Sequence, residues 1–559
     1  NTGLIELRTL DAFYGNSLTV TTGTLLNAPT GIIRAVPGFG SKGLTAVLNN
    51  QGLLDVREAL TLSRASAAHT NSGTIDLALG DLTVTQSGTT PSFTNTGTIT
   101  VPAGRTLTVS GGSLNLSSGV LNGQAGTLVT TGVTLDLTMA TSRTRLTLNS
   151  TTVPGTFTIP AGDSLRLTNG SPTMTLVNNG RLVLQGSPVL GGTLTTGDTT
   201  SVIEVRSSTA GGGGANATIT NGFTNTGLIE LRTLDAFYGN SLIVTTGTLL
   251  NAPTGIIRAV TGFGSKGLTA VLNNQGLLDV REALTLSRAS AAHTNSGTID
   301  LAAGDLTVTQ TGTTPSFTNT GTITVPSGRT LNVSGGALNL AAGLVSGRSG
   351  TLTVASSTFN FVPAAVRTRM NLNSATVPGT ITIAASDTLQ LIGGVLGAPV
   401  VNNGLFLAQG TATLAGAFTS VAGSTLRLLG ANGPTNAVFT IANGFTNNGL
   451  IELTSIDAGY SAGLTVTAGT LTNAAAGTIT VSPGTSGSRS VTATLLDNFG
   501  TVTFAESTSA LMSIDQRGIL DVLPTRLLSI AAGRVLTLYS GSITTVTGTI
   551  NNFGSCSNQ

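Results

Sequence analysis

The chain contains few of the residue types on which most enzymes and disulfide-rich proteins depend. Its 559 residues include no tryptophan, one cysteine and two histidines, and only 9% are charged. A single cysteine excludes an intrachain disulfide framework and a multi-cysteine metal site. The formal net charge is +2, without a cluster of basic residues interleaved with aromatic ones. Nucleic acid is therefore not an expected partner.

Long apolar runs are missing as well. No run approaches the roughly 20 residues that a membrane-spanning helix needs, so we expect no membrane span. Hydrophobic residues still make up 39% of the chain, and glycine contributes 74 residues. Disordered proteins usually combine low hydrophobicity with high charge, so this composition indicates a folded chain. Its polar surface is predicted to consist mainly of hydroxyl and amide groups.

A long repeat organises the sequence. The segment Asn1-Thr-Gly-Leu-Ile-Glu-Leu returns at Asn225 and, with a second asparagine in place of threonine, at Asn447. We therefore divide the chain into a first super-repeat at 1–224, a second at 225–446 and a partial third with the C-terminal end at 447–559. Tandem copies indicate a unit that is used additively, which is typical of a spacer or fibre.

A shorter motif, Asn-x-Gly followed by alternating apolar and polar residues, recurs inside each copy. Its glycines include Gly52, Gly73 and Gly97, and the period-two alternation predicts short strands with one buried face. Strands that repeat once per coil are best paired in parallel, about 4.8 Å apart. The motif predicts an all-β fold, a parallel β-helix or β-solenoid of about 24 turns, as an elongated rod on the order of 110 Å.

Alignment on the motif glycine defines two columns of stacked residues. Asparagine stands two positions before glycine, and its amide can bond to the same amide in the next turn, so this column predicts a ladder. The ladder is Asn50, Asn71, Asn95, Asn274, Asn295 and Asn319. Four positions before glycine the residues are mostly apolar and are predicted to form a core stack. Its largest members are His69, Phe93, Phe223, His293, Phe317 and Phe445.

The two histidines in this core column are the obvious residues to test for acid-base chemistry or metal binding. His69 follows Leu48 and precedes Phe93 in the column. No second histidine or cysteine lies near either one in sequence to complete a metal site. We therefore predict that both histidines are structural.

Charged residues occupy a third column, three positions after glycine. Glu6, Arg34 and Asp55 would alternate in sign from turn to turn, whereas Asp55 and Asp76 would place like charges on adjacent turns, and the second copy repeats this pair as Asp279 and Asp300. Three interpretations remain: arginine-compensated surface, a weak Ca²⁺ contact, or a carboxylate pair like that of a retaining glycosidase. Neither an aromatic sugar platform nor a third acid is evident beside the pair. The sequence therefore favours the first interpretation and predicts no enzyme activity and no cofactor.

The motif at Thr94 to Val109, Thr-Asn-Thr-Gly-Thr-Ile-Thr-Val-Pro-Ala-Gly-Arg-Thr-Leu-Thr-Val, resembles those of bacterial β-solenoid surface proteins. The nearest groups are filamentous-haemagglutinin-like adhesins and autotransporter passenger domains. The resemblance implies a right-handed parallel β-helix located outside a bacterial cell. The secretion domain expected at the N-terminus of such adhesins and the membrane barrel expected at the C-terminus of autotransporters are not visible in this sequence.

These features lead to three functional hypotheses. The leading one is a secreted or cell-surface structural protein that forms a filament by end-to-end continuation of the solenoid, with itself or with neighbouring segments of a longer chain as partner. The alternative is the stalk of a surface adhesin, with host or cell-surface glycans as partners. A polysaccharide-degrading β-helix enzyme is the third. Cys556 is available for an intermolecular cross-link.

Overall fold

Short strands joined by tight turns follow one another along the chain. A computed structural model describes residues 1–10, 14–123, 126–138, 144–209, 213–235, 237–433 and 435–559. These residues contain no α-helix, and their named strands pair in parallel. The predicted all-β fold, a parallel β-solenoid of about 24 turns, is confirmed.

The chain forms two compact units, Asn1–Leu286 and Ser287–Gln559. Among the strands of the first unit are Leu4–Leu7, Asn16–Asn27, Ile32–Ala35, Lys42–Asn50, Leu53–Val56, Ala68–Asn71, Thr74–Asp76, Ser92–Asn95, Thr98–Thr100, Val120–Asn122, Arg145–Asn149, Ser164–Gly170, Arg181–Leu184, Val202–Ser207, Phe223–Asn225, Leu228–Thr233, Asn240–Asn251, Ile256–Ala259, Lys266–Asn274 and Leu277–Val280.

The second unit repeats the same construction. Its strands include Ala292–Asn295, Thr298–Asp300, Ser316–Asn319, Arg369–Asn373, Thr388–Leu396, Leu405–Leu414, Thr425–Gly430, Ala437–Asn447, Leu450–Ser455, Ala462–Asn473, Arg489–Asn498, Thr508–Gln516, Ile519–Val522, Leu527–Ile530, Val535–Leu538, Ile543–Val546, Thr549–Asn552 and Ser555–Asn558.

Successive turns stack in parallel register, with local shifts such as the one between Thr19 and Thr24, so the same column faces inward over long stretches of the stack. Ile33, for example, pairs with Ile5 in the preceding turn and with Leu54 in the following one. Ile33 and Leu54 are fully buried. The alternation of apolar and polar residues thereby becomes an alternation of inward and outward side chains. Apolar burial inside each coil and backbone pairing between coils hold the stack together.

The motif glycine is required by the close approach of successive turns. A Cβ added at Gly73 would overlap with the carbonyl oxygen of Gly52, and one added at Gly97 would overlap with that of Gly73. Gly3 holds the same motif position in the first turn, and there a Cβ would meet nothing within 4 Å.

We expect Gly73→Ala to lower the free energy of unfolding by about 2 kcal/mol, because the new methyl group must push two turns apart. Gly3→Ala is the matched control and should change it by less than about 0.5 kcal/mol. Urea unfolding followed by circular dichroism measures both. Equal stability of the two variants would contradict the steric explanation of the motif.

Candidate functional site

The predicted asparagine column forms continuous hydrogen-bonded runs. In the first unit Asn50 Nδ2 donates to Asn71 Oδ1, and Asn71 Nδ2 donates to Asn95 Oδ1, both at 2.7 Å. Asn274 accepts from Asn251 at 2.7 Å. In the second unit Asn295 Nδ2 donates to Asn319 Oδ1 at 2.6 Å.

Sequence reasoning missed the members of this column that lie in longer turns. Asn27, Asn251 and Asn473 each donate to the next asparagine, at 2.7 to 2.8 Å. They stand four positions before a glycine instead of two, because their turns hold two extra residues, as in Asn27-Ala-Pro-Thr-Gly31. Alignment on the following strand, Ile32–Ala35, would have placed them in the column.

The core column lies inside the coils. His69 pairs in register with Phe93, and His293 pairs with Phe317. Both histidines are 1% exposed, and the Leu48 backbone N–H donates to His69 Nδ1 at 3.2 Å. Burial lowers the pKa of each imidazole to about 4. A neutral imidazole that is buried among apolar side chains has a structural role, because a substrate cannot reach it.

Two further members of the predicted core stack are also buried. Phe223 pairs with Leu249, and Phe445 pairs with Leu471. Phe445 also packs edge to face on Phe418, with ring centroids 5.0 Å apart. Aromatic rings thus stack on aliphatic side chains in this column in both units.

The charged column has the predicted register in the first unit. Glu6 pairs with Arg34, Arg34 with Asp55, and Asp55 with Asp76. Asp55 is 4% exposed, and its Oδ2 accepts from the Nε atoms of Arg34 and Arg57, each at 2.8 Å. Two guanidinium groups therefore compensate the carboxylate that adjoins Asp76.

The second copy of this acid pair is built in the same way around Asp279. Its Oδ2 accepts from Arg258 Nε at 2.8 Å and from Arg281 Nε at 2.9 Å. Asp300 lies at the end of the strand Thr298–Asp300 and pairs with Thr324. Nowhere in the described ranges do three carboxylate, histidine or cysteine side chains converge as metal ligands. The geometry favours the arginine-compensated interpretation over the Ca²⁺ and catalytic ones.

The most concentrated charge in the first unit lies at Glu204, which sequence reasoning missed. Its side chain is fully buried. Arg181 Nε donates to it at 3.0 Å and Arg206 Nε at 2.8 Å, and Arg232 Nε lies 3.6 Å away. Burial alone would raise the pKa of Glu204, but hydrogen bonds from Arg206 and Arg181 outweigh burial and hold the pKa below its ordinary value.

The surroundings of Glu204 carry an excess of positive charge. Burial and the neighbouring Arg145 guanidinium lower the pKa of Arg166, with further contributions from Arg206 and Arg181. Glu204 also pairs in register with Glu230, so the alternation of charge seen at Arg34 is broken here. These contacts arise in the second half of the super-repeat, where the short motif is weakest.

We expect Glu204→Gln to lower the free energy of unfolding by about 2 kcal/mol at neutral pH, because the arginine hydrogen bonds lose their charged acceptor. The folded pKa of Glu204 is depressed, so its contribution is present above the ordinary pKa of glutamate and is lost as pH falls through the folded value. The difference between variant and native protein should therefore shrink in acid. Urea titrations at several pH values test this, and a difference that persists in acid would contradict it.

No protein-family model matches the chain, and no curated protein matches its sequence. None of the described residues forms a helix long and apolar enough to cross a membrane. The sites described above are therefore interpreted from their own geometry.

A second arginine-rich site lies in the second unit. A groove of about 410 Å³ is lined by Arg348, Arg367 and Arg369 together with Gln390 and Gln409. Gln390 Nε2 donates to Gln409 Oε1 at 2.7 Å. Arg367 and Arg369 belong to an Arg-Thr-Arg sequence that also occurs 224 residues earlier, at 143–145. That repeat is the signal that could have identified the groove.

A buried lysine shapes one loop in each of the first two copies. Lys266 Nζ donates at 2.9 Å to Thr233 Oγ1 and to the carbonyl oxygens of Phe263 and Gly264. Burial lowers the pKa of Lys266. Lys42 makes the corresponding bonds to Thr9, Phe39 and Gly40 in the first copy. In both loops the lysine holds the phenylalanine backbone, and the aromatic ring lies on the surface: Phe39 and Phe263 are both about two-thirds exposed.

Cys556 lies in the strand Ser555–Asn558 and pairs in register with Leu536. Its thiol is free and exposed. The predicted intermolecular cross-link through this thiol stays a prediction.

Proposed function

We propose that this chain is a structural segment of an extracellular fibre or stalk, in which the solenoid continues from one segment to the next. The observation that carries the proposal is the parallel stacking of successive turns, in which local register shifts interrupt the pairing but the next turn is still offered a backbone edge and an apolar interior column. Such a stack grows in length at constant cross-section. The outward hydroxyl and amide groups keep the lateral surface polar.

The interior columns at the two edges of the structure are partly open to solvent. Ile5 is half-buried although its partner Ile33 is fully buried, and Ile550 is half-buried although its partner Leu528 is fully buried. One further turn would cover each of them, whether the same polypeptide or a neighbouring one supplies it. Stacking would also pair the exposed strand edges, which otherwise invite association.

Electron microscopy of the purified 559-residue chain tests the proposal. We expect filaments that lengthen with protein concentration while their width stays constant. Ile550→Lys places a charge where the next turn would stack and should prevent growth. Val395→Lys is the control, because Val395 is already 48% exposed within a strand of the second unit. Particles of one fixed length at every concentration would overturn the proposal.

The adhesin stalk remains a second candidate, favoured by the exposed aromatic loops. Phe237 and Phe263 are 90% and 65% exposed, and their ring centroids lie 6.4 Å apart. Exposed apolar clusters of this kind often mark recognition surfaces. Cell-binding assays that compare the native chain with a Phe237→Ser, Phe263→Ser variant distinguish the two candidates. An adhesin requires binding that this variant loses, whereas a fibre segment alone requires none.

A further inference from the structure

We propose that the arginine-lined groove of the second unit binds a uronic acid residue of an acidic polysaccharide. The groove crosses the outward face of the strands Arg369–Asn373, Thr388–Leu396 and Leu405–Leu414, which follow one another in the stack. Its volume of about 410 Å³ is open to solvent along one side. An open groove across several turns suits a ligand that continues beyond the site at both ends.

The charges in this groove are unbalanced. Arg348, Arg367 and Arg369 line it against one acid, Asp387. None of these three arginines is ion-paired within the part of the chain that the structure describes. Several outward arginines elsewhere have carboxylate partners, as Arg427 has Glu452 at 2.6 Å and Arg34 has Asp55 at 2.8 Å. The three unpaired guanidinium groups therefore create a local excess of positive charge.

Two buried polar atoms in the groove wall also have no protein partner. Thr368 is 1% exposed, and its Oγ1 makes no hydrogen bond. The Nε atom of Arg369 is likewise buried and without a partner. Each is an unsatisfied polar atom beside the groove, and burying such an atom without a hydrogen bond costs free energy.

The first unit shows which chemical group suits such an arginine site. There Arg181 and Arg206 hold the Glu204 carboxylate, and Val183 pairs with Glu204 in register. In the second unit Leu407 pairs in the same way with Arg427, so an arginine stands where the first unit has its carboxylate. Leu405 and Leu429 stand at the register positions of Arg181 and Arg206, so other arginines supply the guanidinium groups of this groove, and no internal acid occupies the position of Glu204. A carboxylate from a ligand would supply the missing partner.

The remaining lining favours a sugar as the carrier of that carboxylate. Gln390 and Thr388 present an amide and a hydroxyl beside the arginines, and Leu405 and Leu407 offer half-buried apolar surface. A pyranose ring has the same combination, hydroxyl groups at its edge and an apolar C–H face. An acidic peptide would bring one carboxylate for each residue but would leave the amide and hydroxyl groups less well matched.

Isothermal titration calorimetry with the full 559-residue chain and a galacturonic acid trimer tests the proposal. We expect saturable binding that weakens with added salt, and no binding of a neutral galactose trimer. Arg367→Gln combined with Arg369→Gln should weaken binding at least about tenfold. Arg329→Gln is the matched control, because Arg329 lies in the same unit, faces Asp305 at 3.9 Å and does not line the groove.

Three outcomes would overturn the proposal. They are the absence of saturable binding, equal binding of the neutral trimer, and tighter binding of a glutamate-rich peptide, which would assign the groove to a protein partner. Circular dichroism of the double variant shows whether its fold is intact, and Arg367→Lys with Arg369→Lys gives a second variant that keeps the charge. Filament formation by the double variant should be unchanged, so a failure here is distinguishable from a failure of the proposed structural role.

Discussion

The protein should lose stability as the pH falls from about 6.5 to about 4, by about 3 kcal/mol for each of its two histidines. Burial lowers the pKa of His69 and His293 from 6.5 to about 4. Between these two pH values, the imidazoles bind protons in the unfolded chain but remain neutral in the folded chain. The free energy of unfolding is therefore at its full value above the unfolded pKa and declines as pH falls toward the folded one.

The geometry at His69 gives this shift its physical reason. Its Nδ1 already accepts the Leu48 N–H, so a proton added there would face another donor. A charged imidazole would also lie among Leu48, Phe93 and the rest of the apolar column without a counter-charge from that column.

The control is the double variant His69→Phe, His293→Phe, which places in each position the residue found one turn later. The loss of the hydrogen bond from Leu48 lowers stability equally at every pH, so the slope against pH is the informative quantity. Urea unfolding at pH steps between about 7.5 and about 4.5 should show a smaller slope for the variant. Identical slopes for variant and native protein would show that the histidines do not cause the acid sensitivity.

Asn50→Asp should lower the free energy of unfolding by about 4 kcal/mol. The Asn50 side chain is fully buried. Its Nδ2 donates to Asn71 Oδ1 at 2.7 Å, to the Thr74 carbonyl oxygen at 3.0 Å and to the Gly52 carbonyl oxygen at 3.2 Å. An aspartate would place a charged acceptor against these three oxygen atoms.

Asn122→Asp is the matched control for this substitution. Asn122 ends the strand Val120–Asn122 in the same unit and is exposed. Its replacement should change stability by less than about 0.5 kcal/mol. Urea unfolding compares the two variants under identical conditions. A similar loss of stability in both would mean that the buried amide ladder contributes little to the fold.

The sequence was sufficient to predict the fold and the columns because each turn restates the same short pattern. Asn71, His69 and Gly73 lie within five residues of one another, and a fixed offset from the glycine defines their columns. The prediction missed Asn27 because its turn is two residues longer, which moves the asparagine relative to the glycine but leaves it in the same column.

The arginine-rich sites could not be predicted from the sequence for a different reason. Glu204 meets Arg181 and Arg206 because side chains of two adjacent turns converge: Glu204 and Arg206 lie on the strand Val202–Ser207, and Arg181 lies on the strand paired with it. The approach depends on side-chain directions in turns where the motif has drifted, and residue spacing does not encode those directions. In the second unit, the groove at Arg369 likewise forms from side chains of several neighbouring strands, and residue spacing does not reveal how these side chains are directed.

The amide ladder gives each stack a direction. From Asn27 to Asn50 to Asn71 to Asn95, every side-chain amide donates to the asparagine of a later turn and accepts from that of an earlier one. Asn95 ends this run, because its Nδ2 donates to the Gly97 carbonyl oxygen. A turn added in the reverse direction would set two donors or two acceptors face to face, so the ladder permits one direction of stacking along a run. A fibre of the kind proposed would therefore be polar, with chemically distinct leading and trailing ends.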